Sequence, residues 1–270
     1  MRNFCAYLQI SKKLKRVLKQ KIIYYTDEQN DEFSRAKITP KKIDGNYKYI
    51  RNRFLCGLLY NVVARPLAYA YVKLKYAQKT VGREKLKQYR NKGVFVYGNH
   101  TQADADPLVP NVFAFPKKVY FIAHPDNVSM RFFGVFMPYL GALPLPDGMA
   151  AYRNFASAVS QRISEGAAVV IYPEAHIWPY YTGIRDFPDT SFGYPCKENT
   201  PVFCFTNTYK KRKFIKRPRI VTYIDGPFFP DNGIPVKRST KKLRDEVYNT
   251  MCGRAKLSDC EYVRYIKKEK

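Results

Sequence analysis

The sequence has 270 residues, of which 46% are hydrophobic and 16% aromatic, so it can bury a substantial core and is not disordered throughout. Its 48 Lys and Arg residues against 22 Asp and Glu give a formal net charge of +26, which favours an anionic partner such as a bilayer surface or a nucleic acid. The six scattered cysteines include no Cys-x-x-Cys pair, which fits neither a zinc ribbon nor a dense disulfide scaffold.

The first predicted element is a basic amphipathic helix in residues 11–25. Its apolar residues recur at helical spacing with Lys and Arg between them, and they are Leu14, Val17, Leu18 and Ile22. Such a helix lies on anionic lipid, or alternatively forms a solvated surface helix. The polar residues 26–48 are typical of a connector.

An apolar segment, residues 54–72, follows this connector. Asn61 and the pair Arg65-Pro66 interrupt it near its middle, and a charge with a helix breaker argues against a simple membrane span. The segment therefore favours an interfacial or re-entrant helical hairpin, with an ordinary pair of core helices as the alternative. We assign residues 1–80 to an N-terminal helical region that associates with membranes.

From about residue 92 the pattern alternates between buried strands and helical lengths. The predicted strands are 94–99, 118–123, 167–173, 201–206 and 219–225, and residues 150–165 form a predicted helix that Gly166 closes. Strands separated by helices indicate an α/β domain, a mostly parallel central sheet flanked by helices, which we place at residues 81–270.

Three ionisable residues directly follow predicted strands. His100, His124 and Glu174 each come just after a strand, where open α/β sheets bind their ligands. This placement indicates an active site.

The segment GNHTQADADP, residues 98–107, offers a histidine with aspartates within one turn. An imidazole can take a proton from an attacking hydroxyl while a carboxylate fixes its tautomer, although Asn, Thr and Asp also favour plain turns. The His and Asp spacings match no metal motif, so we expect no metal site.

NHTQADAD, followed by a strand that ends in YPEA, resembles the first and third motifs of the glycerolipid acyltransferase family, of the lysophosphatidic acid (1-acylglycerol-3-phosphate) type. TPVFCFTN, residues 200–207, resembles its fourth motif. The resemblance implies transfer of a fatty acyl group from acyl-CoA or an acyl carrier protein to the hydroxyl of a lysophospholipid, without another cofactor. His100 would be the general base.

This chain is a divergent member by that resemblance. The family spacing puts the aspartate at position 105, which is Ala105 here. We prefer Asp106 as the catalytic partner, through a one-residue insertion, and keep Asp104 as the alternative. By the resemblance, Glu174 binds the acceptor hydroxyl or a basic side chain. Further substrate-binding candidates are Asn99, Gly141 and His176.

Both arginines that would hold the acceptor phosphate are missing. Pro146 and Ile177 stand at their places. Arg153 and Arg185 are the candidate replacements, because Arg offers a bidentate donor set for phosphate.

Two further stretches bear on location. Residues 209–219 carry a basic loop between two predicted strands, which suits phospholipid headgroups, an acidic acyl carrier protein or a nucleic acid. Residues 130–146 are apolar, and this stretch lines an acyl tunnel, enters lipid or packs in the core. We expect a peripheral or monotopic protein on the cytoplasmic face of an anionic phospholipid membrane, with no nucleic acid partner. The alternatives are a catalytically degenerate lipid-binding member of the same fold, or a basic nucleic-acid-binding protein.

Overall fold

The fold is taken from a computed structural model, which describes residues 20–34, 38–49 and 52–268. Most of the predicted amphipathic helix therefore lies outside the described residues. Its last five residues are described and form strand β1, Lys21–Tyr25, so the helical prediction is wrong there.

The body of the protein is a seven-stranded sheet. Its strands are β2 (Lys79–Val81), β3 (Val94–Gly98), β4 (Val119–Ala123), β5 (Ala142–Pro144), β6 (Ala168–Ile171), β7 (Val202–Lys210) and β8 (Arg219–Phe228). Their order is β2-β8-β7-β3-β6-β4-β5. The five strands β7, β3, β6, β4 and β5 run parallel to one another. Strand β8 is antiparallel to β7, and β2 runs parallel to β8.

Helices cover both faces of this sheet. They are α1 (Arg53–Leu58), α2 (Arg65–Tyr76), α3 (Arg83–Lys87), α4 (Val109–Phe113), α5 (Asp126–Ser129), α6 (Met149–Ser164), α7 (Gly193–Glu198) and α8 (Val236–Ala255). Strand β3 shows why two layers are needed, since all five of its residues are buried. Phe95 and Tyr97 pack with α6 and α8, and the alternate residues Val94 and Val96 pack with α2 and α4.

The five predicted strands and the helix at 150–165 are confirmed, and so is the mostly parallel α/β class. Strands β2 and β5 and helix α8 are additions to the elements predicted from the sequence. The antiparallel direction of β8 relative to β7 is a further difference from the prediction.

The apolar N-terminal segment forms one continuous helix rather than a hairpin, so the hairpin prediction is wrong. A π-helical stretch, Leu59–Ala64, joins α1 to α2, and Pro66 is tolerated at the start of α2. Together these segments form a helix, Phe54–Tyr76, that is long and apolar enough to cross a membrane, a property that core helices of soluble proteins share.

A second, two-stranded sheet joins the two ends of the described chain. Strand β1 pairs in parallel with β9, Val263–Lys267. Tyr265 of β9 stacks on Trp178 with ring centroids 4.9 Å apart, which places this small sheet against the loop that follows β6. The boundary near residue 80 stays a prediction, and β1 and β9 pair across it.

Candidate active site

The imidazole of His100 and the carboxylate of Asp106 meet at the carboxyl end of β3. Nδ1 of His100 lies 2.9 Å from Oδ2 of Asp106. The loop between them folds back within six residues, so both side chains reach the same point. The His100 side chain is 18% exposed and that of Asp106 is fully buried. The structure therefore brings together a potential base and an orienting carboxylate, with the base on the solvent side.

Backbone and side-chain donors hold the Asp106 carboxylate in place. Oδ2 accepts hydrogen bonds from the amides of Thr101 and Gln102 at 2.7 and 2.8 Å, and Oδ1 accepts one from Nδ2 of Asn207 at 3.3 Å. Complete burial raises the pKa of Asp106, while His100 and the two amides act in the opposite direction. The carboxylate held in this way contacts Nδ1 of His100 and so fixes the orientation of the imidazole.

Asp104 lies in a different cluster. Its carboxylate pairs with Lys75 and accepts hydrogen bonds from the hydroxyls of Tyr71 and Tyr76, at 2.5 and 2.8 Å. Of the two aspartates, Asp106 is thus the one in contact with His100, and Asp104 ties the loop that follows β3 to α2.

Tyr172 supports the imidazole from one face. Its ring stacks on that of His100 with centroids 4.4 Å apart and an interplanar angle of 18°. Its hydroxyl donates to the carbonyl of Asp106 at 2.5 Å. Within the described residues, Nε2 of His100 has no hydrogen-bond partner, so this nitrogen is the one available to a substrate hydroxyl.

Asn99 uses its amide on protein backbone. Its Nδ2 donates to the carbonyl of Asn207 at 3.0 Å, and its Oδ1 accepts from the Asn207 amide at 2.8 Å. The side chain is buried, with 1% of the residue exposed. The Asn99 side chain thus links the end of β3 to the backbone of β7 and does not face a substrate.

Glu174 and Arg185 form a buried hydrogen-bonded pair beside the same strand ends, in which Nε of Arg185 donates to Oε2 of Glu174 at 3.1 Å. Burial raises the pKa of Glu174 to about 8, although Arg185 opposes this shift. Arg185 also donates to the carbonyls of His176 and Glu28, and its guanidinium lies 5.0 Å from the centre of the Trp178 ring. Arg185 is 1% exposed, and each of its guanidinium nitrogens already donates a hydrogen bond within the protein. It is therefore a buried structural residue and does not offer free donors to a phosphate.

The remaining candidates have distinct positions. His176 is partly exposed, with Nδ1 3.7 Å from Glu32. Arg153 is exposed in the first turn of α6. Gly141 has φ of 101°, and a Cβ there would meet the Val119 carbonyl at 2.4 Å, so its role is close backbone packing. His124 is half exposed and pairs with Asp126 at 3.2 Å.

Tyr172 and Asn207 are site residues that sequence reasoning did not single out. Both lie within the segments that resemble family motifs: Tyr172 directly follows β6, and Asn207 lies in the part of β7 that extends beyond its pairing with β3. The register of β3 with β6 and β7 places both residues near His100, and this adjacency is the signal that would have identified them.

Comparison with known proteins bears on this geometry. Residues 78–193 match the model of the Acyltransferase family, and they include His100, Asp106 and Glu174. The fold matches the crystal structure of PlsC from Thermotoga maritima, titled a 1-acyl-sn-glycerophosphate (LPA) acyltransferase. The TM-score is 0.57 at 15% identity over 78% of this chain and 86% of that one. None of the curated proteins matches the sequence. Residues 78–193 thus carry the likeness to the Acyltransferase family, and the match to PlsC shows a shared fold.

Proposed function

We propose that this protein transfers a fatty acyl group from an acyl thioester to the hydroxyl of a glycerolipid such as 1-acylglycerol-3-phosphate. The observation that carries the proposal is the His100–Asp106 pair at 2.9 Å, with Nε2 on the accessible side. The motif order and the likeness in fold to PlsC support a glycerolipid acceptor.

In the proposed reaction, Nε2 of His100 accepts the proton as the substrate oxygen attacks the thioester carbonyl carbon. Asp106 holds the neutral tautomer before attack and stabilises the imidazolium after it. The tetrahedral intermediate then collapses, the carbon–sulfur bond breaks, and the thiolate takes the proton from the imidazolium. No covalent enzyme intermediate is required, because the thioester is already activated.

The outer face of the helix Phe54–Tyr76 supports association with a membrane. Its large exposed side chains are apolar or aromatic, and they are Phe54, Leu55, Leu58, Val62, Val63, Leu67, Tyr69, Tyr71 and Leu74. Its cations point elsewhere: Arg65 donates to the Lys117 carbonyl at 2.6 Å and Lys73 to the Gln78 carbonyl at 2.5 Å. A contiguous apolar face of this kind is typical of a lipid or protein contact. We infer a peripheral or monotopic position on the cytoplasmic face.

A second exposed apolar group belongs to the stretch 130–146. It comprises Phe132, Phe133, Val135 and Phe136. This group follows β4 at the edge of the sheet that carries His100. Of the three roles predicted for the stretch, exposure favours entry into lipid over core packing.

The decisive experiment incubates purified protein with acyl-CoA or an acylated acyl carrier protein and a panel of lysolipids, with products identified by mass spectrometry. We expect wild-type protein to form a diacyl product and His100→Ala to form none while it stays folded. His124→Ala is the matched control, because His124 lies outside the pair, and it should keep activity. A fully active His100→Ala variant would reject the mechanism. Lipid binding without transfer by the wild type would instead indicate the degenerate lipid-binding protein.

A further inference from the structure

The loop between β7 and β8 combines strong positive charge with an apolar tip. We call residues 210–219 the basic loop; its seven cations are Lys210, Lys211, Arg212, Lys213, Lys216, Arg217 and Arg219. At the tip, Phe214 is 89% exposed and Ile215 is 55% exposed. Among the described residues, the only ion pair of the loop joins Lys210 to Asp259 at 3.5 Å. Both the charge and the apolar surface are therefore available to an external partner.

The basic loop lies at the edge of the sheet that carries His100. Strand β7 runs parallel to β3, so both strands end at this edge. Directly before the loop, the Tyr209 hydroxyl contacts Oγ1 of Thr101 at 2.7 Å and accepts from Gln102 at 3.1 Å. The residues that follow His100 are thus bonded to the start of the loop.

The base of the loop is fixed to the apolar helix. Arg212 donates to the carbonyl of Lys75 at 3.1 Å, and the guanidinium of Arg217 lies 5.8 Å from the centre of the Tyr76 ring. The same last turn of α2 carries Leu74, which is 84% exposed. The apolar tip of the basic loop and the helix Phe54–Tyr76 are therefore parts of one connected surface beside the loop that follows β3.

We propose that the basic loop is a second membrane contact, in which Phe214 and Ile215 enter the interface of an anionic bilayer while the cations bind headgroup phosphates. Apolar burial and charge attraction add in such contacts. A nucleic acid would bind the cations and could stack a base on Phe214, but it would leave the aliphatic side chains of Ile215 and the neighbouring Leu74 exposed to water, whereas a bilayer buries all three. The proposal rests on the proposed function, because it gives that enzyme a defined orientation. With the helix and the loop both on lipid, the His100 edge faces the membrane where the acceptor resides.

A tryptophan placed at the tip tests insertion directly. The chain has one native tryptophan, Trp178, which is fully buried and supplies a constant background. We expect the emission of Phe214→Trp to shift to the blue and to be quenched by brominated lipids in phosphatidylcholine–phosphatidylglycerol vesicles. Phe229→Trp is the matched control. Phe229 is 55% exposed, but it follows β8 at the opposite edge of the sheet and should not be quenched. If Phe214→Trp does not fold, Ile215→Trp replaces it.

Charge removal tests the headgroup contact. The triple variant Lys211→Gln, Lys213→Gln and Lys216→Gln should bind anionic vesicles about 100-fold more weakly, at roughly a fivefold loss per charge. A control on α8 removes the same three charges from another exposed surface, through Lys237→Gln, Arg238→Gln and Lys241→Gln. It should bind nearly as the wild type does. Equal losses in both variants, or an unquenched tip, would overturn the proposal. A tip that responds to single-stranded RNA but not to vesicles would reassign the loop to nucleic acid.

Activity on acceptor in vesicles and on acceptor in detergent separates a failure of the membrane contact from a failure of the proposed function. The double variant Phe214→Ala and Ile215→Ala should lose activity on acceptor in vesicles but keep it on acceptor dispersed in detergent. Absence of acyl transfer by the wild type in both assays refutes the proposed function alone, since quenching of the tip is measured without a reaction.

Discussion

Replacing Asp106 with Asn tests how far the reaction depends on a charged acceptor behind the imidazole. The change keeps the size of the side chain but not its hydrogen bonds. Oδ2 accepts from Nδ1 of His100 and from the amides of Thr101 and Gln102, while Oδ1 faces the Nδ2 of Asn207. In either orientation, the new NH2 group of the amide faces donors that it cannot satisfy.

The expected magnitude follows from two losses. The imidazolium no longer has a counter-charge, and the tautomer with the proton on Nδ1 is no longer enforced. Base catalysis by a positioned side chain contributes roughly 10²- to 10⁴-fold, so we expect kcat to fall by about that factor, or about 3–5 kcal/mol. The unsatisfied buried donor should also lower the free energy of unfolding by about 1–3 kcal/mol.

The assay is single-turnover acyl transfer to a detergent-dispersed lysolipid, with urea unfolding measured in parallel. Asp104→Asn is the control, because Asp104 contacts Lys75, Tyr71 and Tyr76 instead of His100. It should retain kcat within about tenfold, since it removes no base-orienting contact. An Asp106→Asn variant with wild-type kcat, or an equal loss in both variants, would show that Asp106 does not act through His100.

Two further predictions concern stability. Burial raises the pKa of Glu174 from 4.5 to about 8, so between these values the folded protein holds a proton that the unfolded chain has released. The free energy of unfolding should therefore fall as pH rises through this window. Urea titrations at a series of pH values should show that the unfolding free energy of Glu174→Gln depends less steeply on pH than that of the wild type. An unchanged pH dependence would contradict the raised pKa. Gly141→Ala should destabilise the protein by about 1–3 kcal/mol, because its φ is 101° and the new Cβ would meet the Val119 carbonyl at 2.4 Å. Gly253→Ala is its control in α8, where nothing lies within 4 Å, and it should stabilise the helix by about 0.5–1 kcal/mol in the same titrations.

Local hydrophobic patterns in the sequence were enough to predict the strands whose ends form the candidate site. Strands β3, β4 and β6 are short buried runs, and the position of His100 after β3 follows from the run that precedes it. The choice between Asp104 and Asp106 was a matter of resemblance, because it depends on which carboxylate the backbone amides of the folded loop surround.

Long-range partners could not be predicted in this way. Arg185 was considered as a phosphate ligand because its sequence position is close to Glu174, but the sequence does not say that the two side chains are buried together. The pairing of β1 with β9 joins residues from opposite ends of the chain, and hydrophobic periodicity contains no information about such a partner. The helix α8 does show its period, with Leu243, Val247 and Met251 buried at every fourth position. The charged residues Arg244, Asp245 and Glu246, which stand between Leu243 and Val247, obscure this apolar period in the sequence.

The Glu174–Arg185 pair changes how the missing motif arginines are to be understood. A buried arginine whose donors are occupied by Glu174 and by two carbonyls would have to break those bonds to receive a phosphate. The pair instead holds the loop after β6 beside His100, because Trp178 lies against Arg185 and its backbone amide donates to the His100 carbonyl at 3.1 Å. We propose that the acceptor phosphate is instead bound by surface cations with free donors, so that the charge which attracts an anionic bilayer also binds the headgroup of the acceptor.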